Sequence, residues 1–384
     1  MKIGLFGGSF NPVHRHHVKI AEAVRDVCGL DEVWFVPVHQ PVHKLCLELL
    51  PYQDRRVMLE TAIRRLPGLR ICDIERDIGG PSYTIRTVRR LRETFPENEF
   101  LLIIGADSLR DLPGWKAYED LVRETRFAVV VRPGIGDQQP LPNPRSIWVP
   151  LEADPASSSG IRAAISRGRM KGLPVQPGVM ALIVEAGHYG CWSGPFSFWR
   201  EELQKQVSNL VPGLRGHIES VAKLAAEYAC ELGLDARLGL LAGLAHDLYR
   251  AADPAKIRAM TGEAGIRLSS VERSIPMLAH GAAAAAYLST LDPVPPLCLR
   301  RAVRWHTFPR QAHAPLTRAL IMADALDPSR AEPERNRLRE SDEPVEMRWK
   351  KVISLKRVCA DRAENGRQMG VCRAEPAAGS PVSA

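Results

Sequence analysis

Lys2-Ile3-Gly4-Leu5-Phe6-Gly7-Gly8-Ser9-Phe10-Asn11-Pro12, followed by His14-Arg15-His16-His17, is the stretch that decides the fold. A short apolar run that stops at a glycine pair reads as a strand delivering backbone N–H groups to a sheet edge, where small residues let a phosphate chain come close. Taken alone, a glycine pair after a strand reads equally well as a tight turn. His14 and His17 stand three positions apart, near the start of a helix expected from about His16, so both imidazoles can face the same end of the sheet. A pair of surface histidines would show the same spacing.

Outward from this motif, the first half of the chain alternates short apolar runs with helical stretches. Strands are expected at 2–6, 33–36, 70–73, 100–104, 127–131 and 147–149, which is the pattern of a parallel sheet joined by crossover helices. After Gly190 the pattern changes: alanine- and leucine-rich stretches such as 219–232 and 236–249 repeat their apolar positions every three or four residues and predict an all-helical region. A chain of 384 residues exceeds what one core usually supports, so two domains are expected. The boundaries read as 1–190 for the first domain, 191–204 for a linker around Cys191-Trp192-Ser193-Gly194-Pro195, and 205–330 for the second domain. Residues 331–365 read as a helical extension containing a helix at 345–364, and 366–384 as a disordered tail rich in Ala, Gly, Ser and Pro.

Composition narrows the classes. Hydrophobic residues at 45% and charged residues at 25% are globular values. No signal-peptide pattern and no run of eighteen apolar residues is found, so a cytosolic protein with no membrane partner is expected. The eight cysteines are never closer than thirteen positions, which excludes a CxxC metal or redox motif and favours buried reduced thiols. The formal charge is +8, but the arginines are interspersed with acids, so anionic nucleotides explain the charge and no nucleic-acid partner is expected.

Ser157-Ser158-Ser159-Gly160-Ile161-Arg162 places three hydroxyls where a helix would begin, with an arginine one turn inside. Together with the two opening motifs it resembles the nucleotidyltransferase superfamily that carries HxGH and ISSTxIR-like motifs. The intervening segments occur in the order seen in bacterial nicotinate mononucleotide adenylyltransferases: Pro37-Val38-His39-Gln40-Pro41-Val42-His43-Lys44, Arg55 with Met58, Pro81-Ser82-Tyr83-Thr84, Gly105-Ala106-Asp107-Ser108, Trp115, and Arg132-Pro133-Gly134. This resemblance implies a Rossmann-like nucleotidyltransferase sheet over about residues 1–190 and adenylyl transfer from ATP, with Mg²⁺, to nicotinate mononucleotide. It implies catalytic roles for His14, His17 and Arg162. Gly7, Gly8, Ser9, Phe10, Arg132, Ser158 and Ser159 fall in its substrate-binding segments, with Lys44 on the mononucleotide phosphate, Thr84 and Trp115 at the pyridine ring, and Gly105 and Asp107 at the adenosine. The chain departs from the pattern at His16, where the family has glycine. A shifted helix start, weaker triphosphate binding and an extra donor are three open consequences.

In the helical half, His217 precedes the doublet His246-Asp247 by 29 positions, and His280, His306 and Asp324 follow. A His-Asp doublet closing an apolar helix is costly to bury unless it is paired or bound to a cation. The set resembles the HD-domain phosphohydrolases, and its flanks, Ala279-His280-Gly281, Trp305-His306-Thr307 and Ala323-Asp324-Ala325-Leu326-Asp327-Pro328-Ser329-Arg330, are similar to the subfamily that cleaves diadenosine tetraphosphate symmetrically to ADP. The resemblance covers about residues 205–365. It implies metal ligation by His217, His246, Asp247, His280, His306 and Asp324, a catalytic role for Asp247, and a divalent transition metal of the Fe, Mn or Zn type. His188 and His313 fit neither pattern and read as surface residues. Rival readings are an adenylyl- or cytidylyltransferase for another substrate, and a chain in which one half has lost activity and senses nucleotides. An oligomer is compatible with the sequence.

Overall fold

The computed structural model describes every residue except 42–48, 132–140, 153, 309–313, 331 and 369–384, and describes only the backbone over 357–368. The chain divides into two units, Met1–Ser193 and Gly194–Ala384.

The first unit is built on a six-stranded sheet. The strands β1 (Lys2–Gly8), β2 (Glu32–Pro37), β3 (Leu69–Ile71), β4 (Glu99–Gly105), β5 (Arg126–Val131) and β6 (Ile147–Pro150) run in the order β3-β2-β1-β4-β5-β6, and every pair is parallel. Ile3, Leu5, Phe35, Leu102, Phe127 and Val129 are buried in them, as expected of strands covered by helices on both faces. From β1 the chain moves on to β2 at one side and from β4 to β5 at the other, and this reversal of strand order opens a crevice at the carboxyl ends of β1 and β4, where open α/β sheets bind ligands.

β1 runs two residues past the expected strand. Gly7 and Gly8 pair with Val36 and Pro37, so the glycine pair belongs to the strand and the chain turns later, at Ser9–Pro12. The packing of Phe10 gives the reason: its ring lies where a side chain on Gly8 would be, 2.8 Å from an added Cβ. Only glycine lets Phe10 fold back under the strand.

Helix α1 (Arg15–Cys28) follows the motif. The unit continues with α2 (Tyr52–Ile63), α3 (Ile74–Ile78), α4 (Thr84–Thr94), α5 (Ala106–Asp111), α6 (Tyr118–Glu124), α7 (Ser158–Ser166) and α8 (Pro177–Ala186).

The second unit is helical among its described residues: α9 (Pro195–Ser208), α10 (Pro212–Glu231), α11 (Ala236–Ala245), α12 (Pro254–Glu263), α13 (Ser270–Ser274), α14 (His280–Thr290), α15 (Leu297–Trp305), α16 (Pro315–Ala325), α17 (Pro333–Arg339) and α18 (Val345–Gln368). Much of the expected linker 191–204 is therefore helix α9. Trp199, Leu203 and Val207 recur at i, i+4 and i+8 and are buried, and a helix with such a stripe needs a core to cover it. The helix expected at 236–249 stops at Ala245, so His246 and Asp247 sit in the turn beyond it.

Glycines set the closest helix contacts in this unit. A Cβ on Gly239 would collide with the Ala225 carbonyl, and one on Gly243 with the Ala222 backbone; α10 and α11 thus touch main chain to main chain. Gly281 does the same for α14 and α15, since an added Cβ would lie 2.9 Å from the Val303 oxygen and 3.2 Å from His306 Cε1.

Among the described cysteines, Cys28, Cys72, Cys191, Cys230 and Cys298 are thiols; Cys191 is buried, whereas Cys298 in the first turn of α15 is exposed, contrary to the expectation of buried thiols. No helix among the described residues is long and apolar enough to cross a membrane.

Candidate active sites

At the carboxyl end of the first unit's sheet lie two clefts that share Gly105 and Ser108. The first, about 330 Å³, is lined by Gly7, Gly8, Ser9, the first turn of α4 with Thr84, and Trp115. Among the described residues, no heavy atom apart from Gly7 and its chain neighbours lies within 4 Å of a Cβ built on Gly7, so this strand end leaves room for a ligand. The second, about 500 Å³, is lined by Gly105, Asp107, Arg110, Val130, Val131, Leu151, Asp154 and His16. Gly7, Gly8, Ser9, Thr84, Gly105, Asp107 and Trp115 all line these clefts; Phe10 does not. It is 1% exposed with φ +46°, and it packs edge-on against His17 at 5.1 Å, supporting the loop from beneath. Lys44 and Arg132 lie outside the described residues.

His14 caps α1, and its ring stacks on His17 with centroids 3.7 Å apart. The His14 N–H donates to His17 Nδ1 at 3.2 Å, which leaves Nε2 as the protonated, donating nitrogen of His17. Burial, reinforced by His16, lowers the His14 pKa to about 4, and burial together with His14 drops His17 well below its ordinary value. Both rings are therefore neutral donors at physiological pH, placed at a helix N-terminus that favours anions. α1 begins at Arg15, one residue before the expected start at His16.

The third motif fastens the loop. Ser157 caps α7 by accepting from the Gly160 N–H at 3.1 Å. Ser158 Oγ donates to the Pro12 carbonyl at 2.9 Å and Arg162 Nη1 to the Asn11 carbonyl at 2.8 Å, while Ser159 is exposed. Opposite, the buried Arg55 donates to the carbonyls of Ser9, Val38 and Leu50, and Tyr189 Oη donates to Asn11 Oδ1 at 2.8 Å. Hydrogen bonds to a charged donor contribute about 1.5–3 kcal/mol each, enough to hold an irregular segment such as residues 9–12 in one conformation. His188 is half-buried with Nε2 3.4 Å from the Asp54 carboxylate, which corrects its reading as a surface residue; His313 is outside the described residues.

Glu75 escaped the sequence reading. It is buried, lines the first cleft, and accepts from Thr87 Oγ1 at 3.1 Å and the His39 N–H at 3.2 Å. Nothing in its sequence neighbourhood distinguishes it from a solvated acid.

In the second unit the structure brings all six expected ligands together around Asp247. Its Oδ2 lies 3.6 Å from His217 Nε2 and 3.5 Å from His246 Nε2; its Oδ1 lies 2.9 Å from His280 Nε2 and 3.5 Å from His306 Nε2. Two ligand groups result, His217-His246-Asp247 and Asp247-His280-His306, with Asp247 common to both. Asp324 Oδ1 adds to the first at 3.6 Å from His217 Nε2.

The outer contacts orient every ring. Nδ1 of His246, His280 and His306 meets the carbonyls of Gly243, Met277 and Val303 at 2.7, 2.6 and 2.8 Å. Each Nδ1 therefore carries the proton, and each Nε2 presents its lone pair inward. His217 Nδ1 instead meets Asp327 Oδ2 at 2.8 Å. Asp327, fully buried, thus fixes the His217 ring; the sequence reading quoted it only within the segment flanking Asp324, and its three-residue offset from Asp324 was the available signal.

The donor set fits a pair of divalent ions. Among the described residues the Nε2 atoms of His217 and His246 are buried without a hydrogen-bond partner, and those of His280 and His306 point at each other across 3.0 Å, a geometry that lone pairs share only through a cation or proton. Contacts with Asp247, Asp324 and Asp327 push the His217 pKa up to about 11, while burial lowers His246 to about 4. Burial works against the Asp247 carboxylate, but the histidines around it, His246 first, hold its pKa well below the usual range. Arg250 lies 2.7 Å from Asp247, and Arg330 and Lys356 lie 2.6 and 3.4 Å from Asp324, so three cations edge the cluster.

Comparisons with known proteins agree with this division. Residues 5–164 match the cytidylyltransferase-like family, and residues 214–336 match the HD domain. A probable nicotinate-nucleotide adenylyltransferase of Shouchella clausii is 40% identical over 189 residues, 49% of this chain and 97% of that protein. Its counterpart in Geobacillus kaustophilus is 39% identical over 193 residues, 50% of this chain and 88% of that protein. Among solved structures, the Plasmodium falciparum nicotinic acid mononucleotide adenylyltransferase complexed with NaAD is 19% identical with a TM-score of 0.42, covering 49% of this chain and 97% of that one.

Proposed function

The chain belongs, through its amino-terminal half, to the nicotinate-nucleotide adenylyltransferase family, and on that premise we propose that this half transfers AMP from ATP to nicotinate mononucleotide, releasing pyrophosphate and forming the deamido dinucleotide. The observation that carries the reading is the pair of clefts meeting at Gly105, one for each nucleotide. The first takes the mononucleotide, with Thr84 and Trp115 at the pyridine ring, where an aromatic face suits stacking. The second takes the adenosine, with Gly105 and Asp107 against it.

A 5′-phosphate oxygen then attacks the α-phosphorus in line, the bond to the pyrophosphate oxygen breaks, and no covalent enzyme intermediate is needed. Catalysis is positioning plus charge stabilisation. His14 and His17 donate to the phosphates from the start of α1, Arg162 adds positive charge, and Mg²⁺ arrives with ATP. Ser158, Ser159, Lys44 and Arg132 are proposed phosphate and substrate contacts. Incubation with ATP, Mg²⁺ and either the nicotinate or the nicotinamide mononucleotide tests this: pyrophosphate release is expected with the nicotinate form, and none with either would overturn it.

For the HD domain the proposed reaction is hydrolysis of diadenosine tetraphosphate to two ADP. Its support is the donor set shared through Asp247, with His217, His246 and Asp324 on one side and His280 and His306 on the other. Fe, Mn or Zn suits such imidazole and carboxylate ligands, and two ions held there would acidify a water and offset phosphate charge. Arg250, Arg330 and Lys356 would bind the polyphosphate once the carboxylates they now neutralise turn to metal. Product analysis decides the cleavage mode: ADP alone is expected, whereas AMP plus ATP would contradict it.

A further inference from the structure

His16 stands at the second position of α1, where its side chain lines the 500 Å³ cleft. Its Nδ1 is buried and has no hydrogen-bond partner among the described residues. A buried polar nitrogen without a partner is uncommon and calls for one from a ligand or water. The walls around it divide by chemistry: Val130, Val131 and Leu151 offer an apolar face, and Asp107 and Asp154 offer carboxylates. Asp107 pairs with Arg110 at 2.7 Å and Asp154 with Lys19, so these carboxylates offer acceptors for hydroxyls, and the apolar face suits a planar base; the occupant that fits is a nucleoside with its phosphates directed toward His14 and Gly7.

We propose that His16 is a direct contact to the ribose of ATP, its imidazole turning to pair with a ribose hydroxyl, and that it sets the nucleotide selectivity of this chain at a position where glycine would leave the hydroxyl to water. The inference rests on the adenylyltransferase reading and deepens it. Of the consequences open at this position, it selects the added partner over obstruction. Asp154, which forms an ion pair with Lys19 at 3.5 Å, lines the same cleft and acts electrostatically on His16.

The test is calorimetric titration of the full chain with ATP, 2′-deoxy-ATP and 3′-deoxy-ATP in the absence of mononucleotide, for wild type, His16→Gly and His16→Asn. Wild type is expected to bind one deoxy analogue about tenfold more weakly than ATP. His16→Gly should bind ATP about as weakly as wild type binds that analogue and lose the discrimination. His16→Asn should recover most of both, and the mononucleotide affinity should be unchanged in all three. ATP binding by His16→Gly that is equal or tighter, or an equal loss for all three nucleotides, would overturn the proposal. Because these are binding measurements, they stand apart from turnover: wild type that discriminates among the nucleotides but makes no dinucleotide would refute the transferase reading and leave the His16 contact intact.

Discussion

The two units use histidine in opposite electrostatic settings. In the first, His14 and His17 stack on each other with no carboxylate in contact among the described residues, and burial outweighs the pull of the Asp154 charge on His14 and makes both rings neutral donors, with His14 at about 4. In the second, His217 lies among Asp247, Asp324 and Asp327 at 2.8–3.6 Å and is pushed up to about 11. The difference tells what each site is built to receive. Donors without acids at a helix start attract anions, whereas imidazoles interleaved with carboxylates attract cations.

If Asp247 is shared by both metal groups, Asp247→Ala should empty both at once. Metal analysis after reconstitution should fall to background, and hydrolysis should drop by about a thousandfold or more, with adenylyl transfer unchanged; full metal content in the variant would break the comparison at its second arm. His14→Ala probes the first arm. Loss of one preorganised donor should lower kcat for dinucleotide formation about a hundred- to a thousandfold while metal content stays at the wild-type level.

Acid sharpens the contrast further. The folded pKa of His14 lies below its unfolded value, so its contribution is fully present above about pH 6.5 and is lost as pH falls toward about 4. That window corresponds to a loss on the order of 3 kcal/mol. Denaturant melts followed by a probe in the first unit should show it, and His14→Asn should flatten it; an equally steep acid limb in the variant would assign the slope elsewhere. The smallest expected effect is that of Asp327→Asn, which keeps the His217 contact but removes its charge and should weaken metal binding about ten- to a hundredfold without emptying the site.

Much of this was legible in the chain. The strand runs were readable because a sheet buried on both faces leaves continuous apolar segments, and six candidate ligand residues stood out because a His-Asp doublet closing an apolar helix is costly to bury unpaired and the set resembles the HD pattern. Other features were not local. Phe10 sits inside a binding motif yet is a core residue, a role fixed by the space left at Gly8. Gly239, Gly243 and Gly281 look like helix-weakening residues, and only the helices packed against them show why they are glycine. Asp327 and Glu75 acquire meaning from partners 110 and 12 residues away in the chain. Helix α9 was hidden because a Gly-Pro junction marks a helix start as well as a linker.

On the proposed reading, the first unit joins two nucleotides independently of the candidate metal site in the second. The most direct measurement is pyrophosphate and dinucleotide formation by the Asp247→Ala chain supplied with ATP, Mg²⁺ and nicotinate mononucleotide. Equal amounts of pyrophosphate and deamido dinucleotide at the wild-type rate are expected, and no pyrophosphate from either the variant or the wild type, with nicotinate or nicotinamide mononucleotide, would contradict it.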